Sequence, residues 1–340
     1  MNLTYLNKFK EEKSGSIFAT EIKADIAKKF WNEANSASIF CHPSYLSAMG
    51  YVVKYFGAYK GEELLCVWPL IIEQGNILSL PSFSYFFGPF FKQDPKDLPS
   101  YKAYSNNLRL INSLIECIIL ETKNLSFSLL PEFQDIRPFL WWNYHNPDLP
   151  RFKIDIKYTA RLNLDKLNNE TDFQNQFRPD DKRKKIKKLR EQMLFTTKVN
   201  SFKDHNILIK LYENTLVRTG GDLMVKDLEN LKKIISLSQA NNSDISCWVI
   251  EAYSRSSESI AGFQLLLGSK NSIYAIAQSV KLEYQKLNLN IFLTFESLLF
   301  SKVKKYKYFD FNGANSPNRA DEKHSFGAVP QSYFEITYKK

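Results

Sequence analysis

Residues 272–327 read SIYAIAQSVKLEYQKLNLNIFLTFESLLFSKVKKYKYFDFNGANSPNRADEKHSFG, and this stretch decides the fold of the chain. An apolar segment predicts a strand over Ser272–Val280, and the polar loop Lys281–Asn290 follows it. The pattern then predicts an amphipathic helix over Ile291–Tyr306 and a second strand over Tyr308–Asn312. Such a unit places the N-terminus of a helix beside the end of a parallel strand. The free backbone N–H groups and the positive dipole end there favour the binding of a pyrophosphate.

The loop sequence VKLEYQKLNLNIFL resembles the acyl-CoA loop of the GNAT acetyltransferases, in which a strand ending in Val leads into Q/R-x-x-G-x-G/A and a helix. Val280 and Gln285 match the Val and the Gln, whereas Asn288 and Asn290 stand at the two glycines. Asparagine tolerates a positive φ best after glycine, so we expect the loop shape to be kept. An ordinary loop between a strand and a helix is the alternative interpretation.

This resemblance implies that acyl-CoA is the cofactor and that it lies against the predicted strand and the loop after it. The residues that it implies for the pantetheine arm are Gln278, Ser279 and Val280. The residues that it implies for the pyrophosphate are Gln285, Lys286, Leu287, Asn288, Leu289 and Asn290.

Two motifs at the end of the stretch are similar to the tail of FemAB-like proteins, which carry two GNAT domains in tandem. The first is a D-F-x-G-x-N strand end, matched here by Asp310, Phe311, Gly313 and Asn315. The second is a K-x-x-F-G helix end, matched here by Lys323, Phe326 and Gly327. The resemblance extends to R-x-x-I-K-K-L at residues 183–189 and to LPSFSYFFGP at residues 80–89.

The resemblance implies an α/β (α+β) fold of two tandem GNAT-like domains, each a mixed sheet flanked by helices. We place a degenerate N-terminal domain at residues 1–164 and a C-terminal domain with the acyl-CoA loop at residues 165–340. The N-terminal part predicts a helix over Ala19–Ala34, then a strand meander, a helix, a strand, a helix and a strand. It contains no Q-x-x-G-x-G loop, so we do not expect it to bind CoA in the usual way.

Length and composition restrict the possible functions but do not identify one. A chain of 340 residues suits two domains, and the formal net charge of +10 is consistent with CoA, a nucleotide sugar or RNA as ligand. The four cysteines and four histidines do not cluster at zinc-ligand spacing, so no metal site is expected. The sequence has no long apolar run and no apolar signal core at its start, which predicts a cytoplasmic protein without a membrane span.

A strongly basic run, KRKKIKKLR over Lys182–Arg190, predicts an amphipathic helix whose buried stripe contains Ile186, Leu189 and Met193. Such a run is a solvated basic face, a place where Arg183, Lys184 or Lys187 reaches a phosphate of the donor or acceptor, or a helix that binds nucleic acid.

Two further helices are predicted over Asp204–Arg218 and Asp227–Ala240, each with its Asp as N-cap. Asp222 lies in the turn between them and is either a capping residue or a carboxylate of the cleft.

Two residues are candidates for acid–base catalysis. His324 titrates in the useful pH range, and Asp310 lies in an apolar strand, where a carboxylate is either structural or a base with a raised pKa. Alternation along the strand predicts that Tyr274 and Gln278 share one face. The candidates for acceptor binding are Tyr85, Arg183, Lys184, Asp222, Tyr274, Asn312, Asn315 and Lys323.

Three functions fit the sequence. The first is an N-acyltransferase that moves an acyl group from acyl-CoA to a nucleotide-linked amino sugar, for example a dTDP-3-amino-3,6-dideoxyhexose, for bacterial surface polysaccharide. The second is a FemAB-type transfer of an amino acid from aminoacyl-tRNA to a peptidoglycan precursor. The third is a non-catalytic RNA-binding protein, for which the charge is suitable but no signature is present.

Overall fold

The computed structural model describes residues 16–73, 76–77, 80–93, 101–122, 124–178, 181–220, 224–240 and 244–340. The chain forms two compact units: unit 1 is Met1–Lys157 with Ser332–Lys340, and unit 2 is Tyr158–Gln331. We predicted a division into two functional domains between residues 164 and 165. That division stays a prediction, because compactness does not tell which residues act together.

Unit 1 contains an antiparallel sheet in the order β1-β2-β3-β4, with β5 paired to β3. The strands are β1 Ile17–Ile22, β2 Val52–Lys60, β3 Glu63–Glu73, β4 Asn76–Ile77, β5 Phe90–Phe91 and β6 Asn124–Ser128. The helices are α1 Ala24–Glu33, α2 Pro43–Ala48, α3 Tyr101–Ile119 and α4 Arg137–Leu140. The apolar stripe of α3 packs on Trp68 and Phe127 in one core, because its residues recur at helical spacing.

The predicted start of the first helix was wrong. Residues 17–22 form β1 and pair with β2 from Ile17↔Lys60 to Ile22↔Tyr55, and α1 begins only at Ala24. The pattern of a short amphipathic segment fits a strand or a helix end, and pairing with β2 decides between them.

Unit 2 contains a sheet in the order β7-β12-β11-β10-β9-β8, in which only β11 and β12 are parallel. The strands are β7 Lys153–Asn163, β8 Phe195–Val199, β9 Ser246–Ser254, β10 Ile260–Gly268, β11 Ser272–Val280 and β12 Tyr308–Gly313, of which β7 begins in unit 1. The last strand, β13 Val329–Lys339, begins in unit 2 and lies mostly in unit 1, where it pairs with β6 from Glu335↔Ser128 to Lys339↔Asn124. The helices are α5 Glu170–Gln176, α6 Asp181–Glu191, α7 His205–Thr219, α8 Val225–Leu237, α9 Leu282–Gln285, α10 Leu289–Val303 and α11 Pro317–His324. The predicted order of strand, loop, helix and strand over residues 272–312 is confirmed, except that the short helix α9 lies within the predicted loop. The mixed α/β fold class is also confirmed.

Helix α10 packs closely on the sheet because a glycine lies beneath it. A Cβ atom at Gly262 would lie 2.7 Å from the Ser279 carbonyl oxygen and 3.1 Å from the Leu293 side chain. Only glycine therefore allows β10, β11 and α10 to approach to this distance. Leu289, Leu293 and Phe295 of α10 are fully buried in the core of unit 2.

Of three predictions for the helix ends in unit 2, one is confirmed and two are wrong. The Asp204 carboxylate accepts a hydrogen bond from the Asn206 amide at 2.8 Å, which confirms it as the N-cap of α7. The prediction for Asp227 was wrong, because α8 begins at Val225 and Asp227 lies inside its first turn. Met193 was wrongly placed in the buried stripe of α6: that helix ends at Glu191, and Met193 is 58% exposed.

Candidate functional site

The parallel strands β11 and β12 diverge. Their backbone pairing runs from Ser272↔Tyr308 to Tyr274↔Asp310 and stops there, in the part of the chain that the structure describes. On its other side β11 stays paired with β10 as far as Val280↔Gly262. The second half of β11 therefore has one edge that β12 does not cover, and its backbone groups can pair with an extended ligand.

A β-bulge lies where the strands diverge. In the β10–β11 register, Leu265 faces Ala277 and Leu266 faces Ala275, so Ile276 is the extra residue of the bulged strand. The bulge reverses the alternation of side chains, and Tyr274 and Gln278 lie on opposite faces of the sheet. Our prediction of a shared face was therefore wrong, since strict alternation holds only for a regular strand.

The side chains of Gln278 and Ser279 form hydrogen bonds within the protein. Gln278 Nε2 donates to the Thr294 hydroxyl of α10 at 3.0 Å, and Ser279 Oγ donates to the Leu211 carbonyl of α7 at 2.7 Å. Val280 is buried. A ligand along this strand would therefore be bound by the backbone rather than by these side chains.

Asn312 stands between the diverging strands. Its φ is 58°, and its side-chain Nδ2 donates to the Ala275 carbonyl at 2.6 Å. Its Oδ1 is buried and makes no hydrogen bond among the described residues. The Lys323 ammonium donates to the carbonyl oxygens of Asn312 at 2.7 Å and Gly313 at 2.5 Å, which fixes the end of β12 against α11. A buried acceptor without a partner is costly, and it marks a place where a ligand N–H would be stabilised.

Asp310 is fully buried and held by three groups. Its Oδ1 accepts from the Thr159 hydroxyl at 2.5 Å and from the Asn312 amide at 2.8 Å. Its Oδ2 lies 3.5 Å from Nε of Arg161, which is itself only 5% exposed. The carboxylate is thus fixed by two donors on one oxygen and a guanidinium beside the other. This geometry fits a residue that positions β12, and the role of Asp310 as a base stays a prediction.

His324 ends α11 with its ring in a defined orientation. Its Nδ1 lies 2.9 Å from the Ala328 carbonyl oxygen. A carbonyl only accepts, so Nδ1 carries a proton, and in the neutral form of the ring the lone pair is on Nε2. The adjacent Lys323 contacts the end of β12, which brings this part of α11 close to the diverging strands.

The loop before α10 keeps one of the two glycine-like conformations that the sequence suggested. Asn288 has φ 62° and ψ 32°, in the left-handed region, whereas Asn290 lies in the first turn of α10. The Leu287 and Asn288 amides donate to the Tyr284 and Gln285 carbonyls at 3.1 and 2.9 Å. The amides of Leu289 and Asn290 make no hydrogen bond within the described residues. Two N–H groups at the positive end of α10 are thus left for an anion.

The other predicted residues lie in several places. Asn315 Oδ1 accepts from the Tyr158 amide at 2.7 Å, and Arg183 donates to Asn175 Oδ1 at 3.1 Å. Lys184, Gln285, Lys286 and Leu287 are exposed, and Tyr274 and Leu289 are buried. Tyr85 is a half-buried residue of unit 1 whose ring centroid is 6.2 Å from that of Phe40. Asp222 lies outside the described residues.

Sequence reasoning missed Arg161 and Lys182. Arg161 pairs with Asp310 and also donates to the Ser272 hydroxyl at 2.8 Å. Lys182 is 5% exposed, with its ammonium 3.0 Å from Glu322 Oε1 and 3.8 Å from the centroid of the Phe326 ring. Burial lowers the pKa of the Lys182 ammonium. A charged residue inside the alternating strand β7 was a signal for Arg161, but nothing distinguished Lys182 among its basic neighbours.

The described ranges contain no group of three or more His, Cys, Asp or Glu side chains that could hold a metal ion. None of the helices in those ranges is long and apolar enough to cross a membrane.

No protein-family model and no curated protein sequence matches the chain, whereas solved structures do. FemX is 11% identical with a TM-score of 0.64 and covers 93% of this chain and 96% of its own. L-PGS from Bacillus licheniformis is 11% identical with a TM-score of 0.56, covering 97% and 94%. A tandem GNAT protein from the clavulanic acid biosynthesis pathway is 10% identical with a TM-score of 0.50, covering 95% and 98%. The chain therefore has the tandem GNAT fold that FemAB-like proteins share.

Proposed function

We propose that this protein is an acyltransferase that moves an acyl group from acyl-CoA to the amino group of a nucleotide-linked amino sugar, such as a dTDP-3-amino-3,6-dideoxyhexose. The observation that carries the proposal is the divergence of β11 and β12 beyond Tyr274, followed by a helix that begins after the left-handed Asn288. An uncovered strand edge and a helix N-terminus in sequence suit a ligand with an amide-bearing arm and a pyrophosphate.

The donor would be bound mainly by backbone groups. The pantetheine arm carries amides, and these can pair with the edge of β11 beyond the bulge at Ile276. The pyrophosphate would accept hydrogen bonds from the Leu289 and Asn290 amides at the start of α10. The exposed Lys286 precedes these residues in the loop. The buried Oδ1 of Asn312 would accept an N–H of the ligand.

The chemistry needs a neutral amine, a stabilised oxyanion and a leaving thiolate. The amine nitrogen attacks the thioester carbonyl carbon, the C–S bond breaks, and the thiolate leaves as CoA. With Nδ1 donating to the Ala328 carbonyl, Nε2 of the neutral His324 ring would accept the proton lost by the amine. Asp310 would act by positioning β12 through Thr159 and Asn312.

The acceptor assignment depends on charge and on the predicted residues. A net charge of +10 attracts a diphosphate-linked acceptor. Arg183 and Lys184 of α6 are the cations that we propose for the acceptor, with Tyr85, Tyr274 and Asn315 as further candidates. Lys323 would act indirectly, since its ammonium already binds two carbonyl oxygens at the end of β12.

Aminoacyl-tRNA is the second candidate donor, and one observation favours it. The Leu287 and Asn288 amides are used by the turn after α9, which leaves fewer N–H groups for a pyrophosphate than a glycine-rich loop would offer. An ester-linked aminoacyl group does not need a pyrophosphate site, yet it undergoes the same attack by an amine at an acyl carbon.

A transfer assay separates the two donors. The protein is incubated with the amino-sugar nucleotide and either acetyl-CoA, followed by release of the free thiol, or aminoacyl-tRNA, followed by release of free tRNA. We expect thiol release, and we expect His324→Gln to slow it by about 100-fold or more. His145→Gln, the same change at an exposed histidine of unit 1, is the matched control. Transfer from aminoacyl-tRNA alone would establish the second candidate, and full activity of His324→Gln would remove the histidine from the reaction.

A further inference from the structure

A groove of about 620 Å³ lies on the α7 side of unit 2, at the end of β11. Its walls are residues of α7 and the segment Val280–Glu283. Ser279 marks the boundary, because its hydroxyl is hydrogen-bonded to α7 at 2.7 Å while Gln278 points to α10 on the other face. The groove therefore lies on the face of the sheet that α7 covers, and α10 covers the opposite face.

The groove is positively charged. Lys210, Arg218 and Lys281 line it, together with one carboxylate, Glu283. Lys281 Nζ lies 3.3 Å from the Ser259 hydroxyl and Arg218 lies 3.4 Å from the Thr215 hydroxyl, both neutral groups. None of these cations has a carboxylate within ion-pair distance among the described residues. Charge that the protein does not neutralise in a concave site attracts an anion.

The same groove has an apolar floor. Leu211 and Val280 are 8% and 6% exposed, and Ile207 and Leu282 form apolar walls with exposures of 46% and 62%. A volume of this size accommodates a nucleotide. Cations above an apolar floor suit a ligand that combines phosphate groups with a flat base, and an inorganic anion would make no use of the floor.

We propose that this groove binds a nucleotide with two phosphate groups, an inference that rests on the proposed function. Lys210, Arg218 and Lys281 would contact the phosphates, and the base would lie on Leu211 and Val280. The groove lies at the carboxyl end of β11, where the chain leaves the sheet toward α9. The nucleotide comes either from the donor, as the 3′,5′-ADP part of CoA, or from the acceptor, as its dTDP part.

Calorimetric titration tests the groove with 3′,5′-ADP and dTDP as probes. Lys210→Met and Arg218→Gln each remove one cation from an exposed part of α7, and Lys166→Gln removes an exposed cation outside the groove. We expect at least one probe to bind the wild type, and we expect both groove variants to weaken that probe by about tenfold or more, since each loses a charge-assisted hydrogen bond. Lys166→Gln should bind as the wild type does. Thermal unfolding of each variant establishes that it is folded.

The probes distinguish the sources of the nucleotide. Loss of 3′,5′-ADP binding alone in the groove variants assigns the groove to the donor, and loss of dTDP binding alone assigns it to the acceptor. Either result supports the proposal. Failure of both probes to bind the wild type, or unchanged binding in both groove variants, overturns it. Failure of the proposed function is a separate result: it would appear as nucleotide binding in the groove without transfer of an acyl group.

Discussion

Asn288 offers the sharpest test of the donor loop. Its φ of 62° is a conformation that most side chains disfavour by about 1–2 kcal/mol. The full conformational cost applies to a β-branched residue, whereas it is smaller for asparagine because its short polar side chain can hydrogen-bond locally. Asn288→Val should therefore lower the free energy of unfolding by about 1–2 kcal/mol. Asn288→Gly should be close to neutral, because relief of the strain offsets the entropy that glycine gains in the unfolded chain.

Asn290 provides the matched control. It is two residues further on, in the first turn of α10, where valine and asparagine have similar helix propensities. Asn290→Val should leave stability nearly unchanged, and Asn290→Gly should lower it by less than about 1 kcal/mol. The two positions thus predict opposite orders for the same pair of substitutions: glycine above valine at 288, and valine at or above glycine at 290.

Two measurements check this prediction. Thermal unfolding should show a melting temperature lower by about 2–8 °C for Asn288→Val, if unit 2 responds as a domain of its size. Calorimetric titration of CoA should show binding weaker by about tenfold or more, because a distorted loop misplaces the Leu289 and Asn290 amides. If Asn288→Val and Asn290→Val bind CoA with equal affinity, the loop is not part of the donor site, and aminoacyl-tRNA becomes the better donor.

Two further predictions concern buried charges. Burial raises the pKa of the Glu251 carboxyl above 4.5, so the folded state holds a proton that the unfolded state has lost, and wild-type stability should fall as the pH rises from 4.5 through the folded pKa. In urea denaturation at several pH values, the free energy of unfolding of Glu251→Gln should not show this decrease. If stability depends on pH in the same way in both proteins, Glu251 is not the group responsible. Lys182→Met should stay within about 1 kcal/mol of the wild type, because it leaves Glu322 half-exposed to water and removes a buried cation. Lys182→Ala should lose more stability by urea denaturation, since it also removes the buried stem of the side chain. Equal losses for the two variants would show that the ion pair is the contribution that matters.

The elements of unit 2 could be predicted because each has a local signature. The strand Ser272–Val280 has its predicted bounds, and Asp204 caps its helix as its residue type suggests. The left-handed conformation of Asn288 could also be anticipated, since asparagine is the residue other than glycine that adopts it most readily.

What the sequence could not supply depends on partners far along the chain. The bulge at Ile276 is defined by the register of β11 against β10, and no residue type within β11 predicts it. The error about Tyr274 followed directly, because one extra residue moves every later side chain to the other face. The role of Asp310 likewise depends on Thr159 and Arg161, which come from β7 and lie about 150 residues earlier in the chain.

The basic run of α6 could be predicted as a helix, but the different role of one of its lysines could not. We left open whether it is a solvated face or a phosphate site, and both interpretations treated its cations alike. One of them, Lys182, is instead buried against Glu322 and Phe326, at the K-x-x-F-G end of α11.

This contact connects two motifs that the sequence presents separately. Lys182 holds α11 through Glu322, and the next residue, Lys323, binds the carbonyl oxygen of Asn312 at 2.7 Å. Asn312 in turn binds the Ala275 carbonyl at the point where β11 leaves β12. A continuous set of contacts therefore runs from the basic helix to the diverging strands. The position of His324, which follows Lys323 on α11, depends on the same contacts, so the basic helix contributes to the site even where none of its cations touches a ligand.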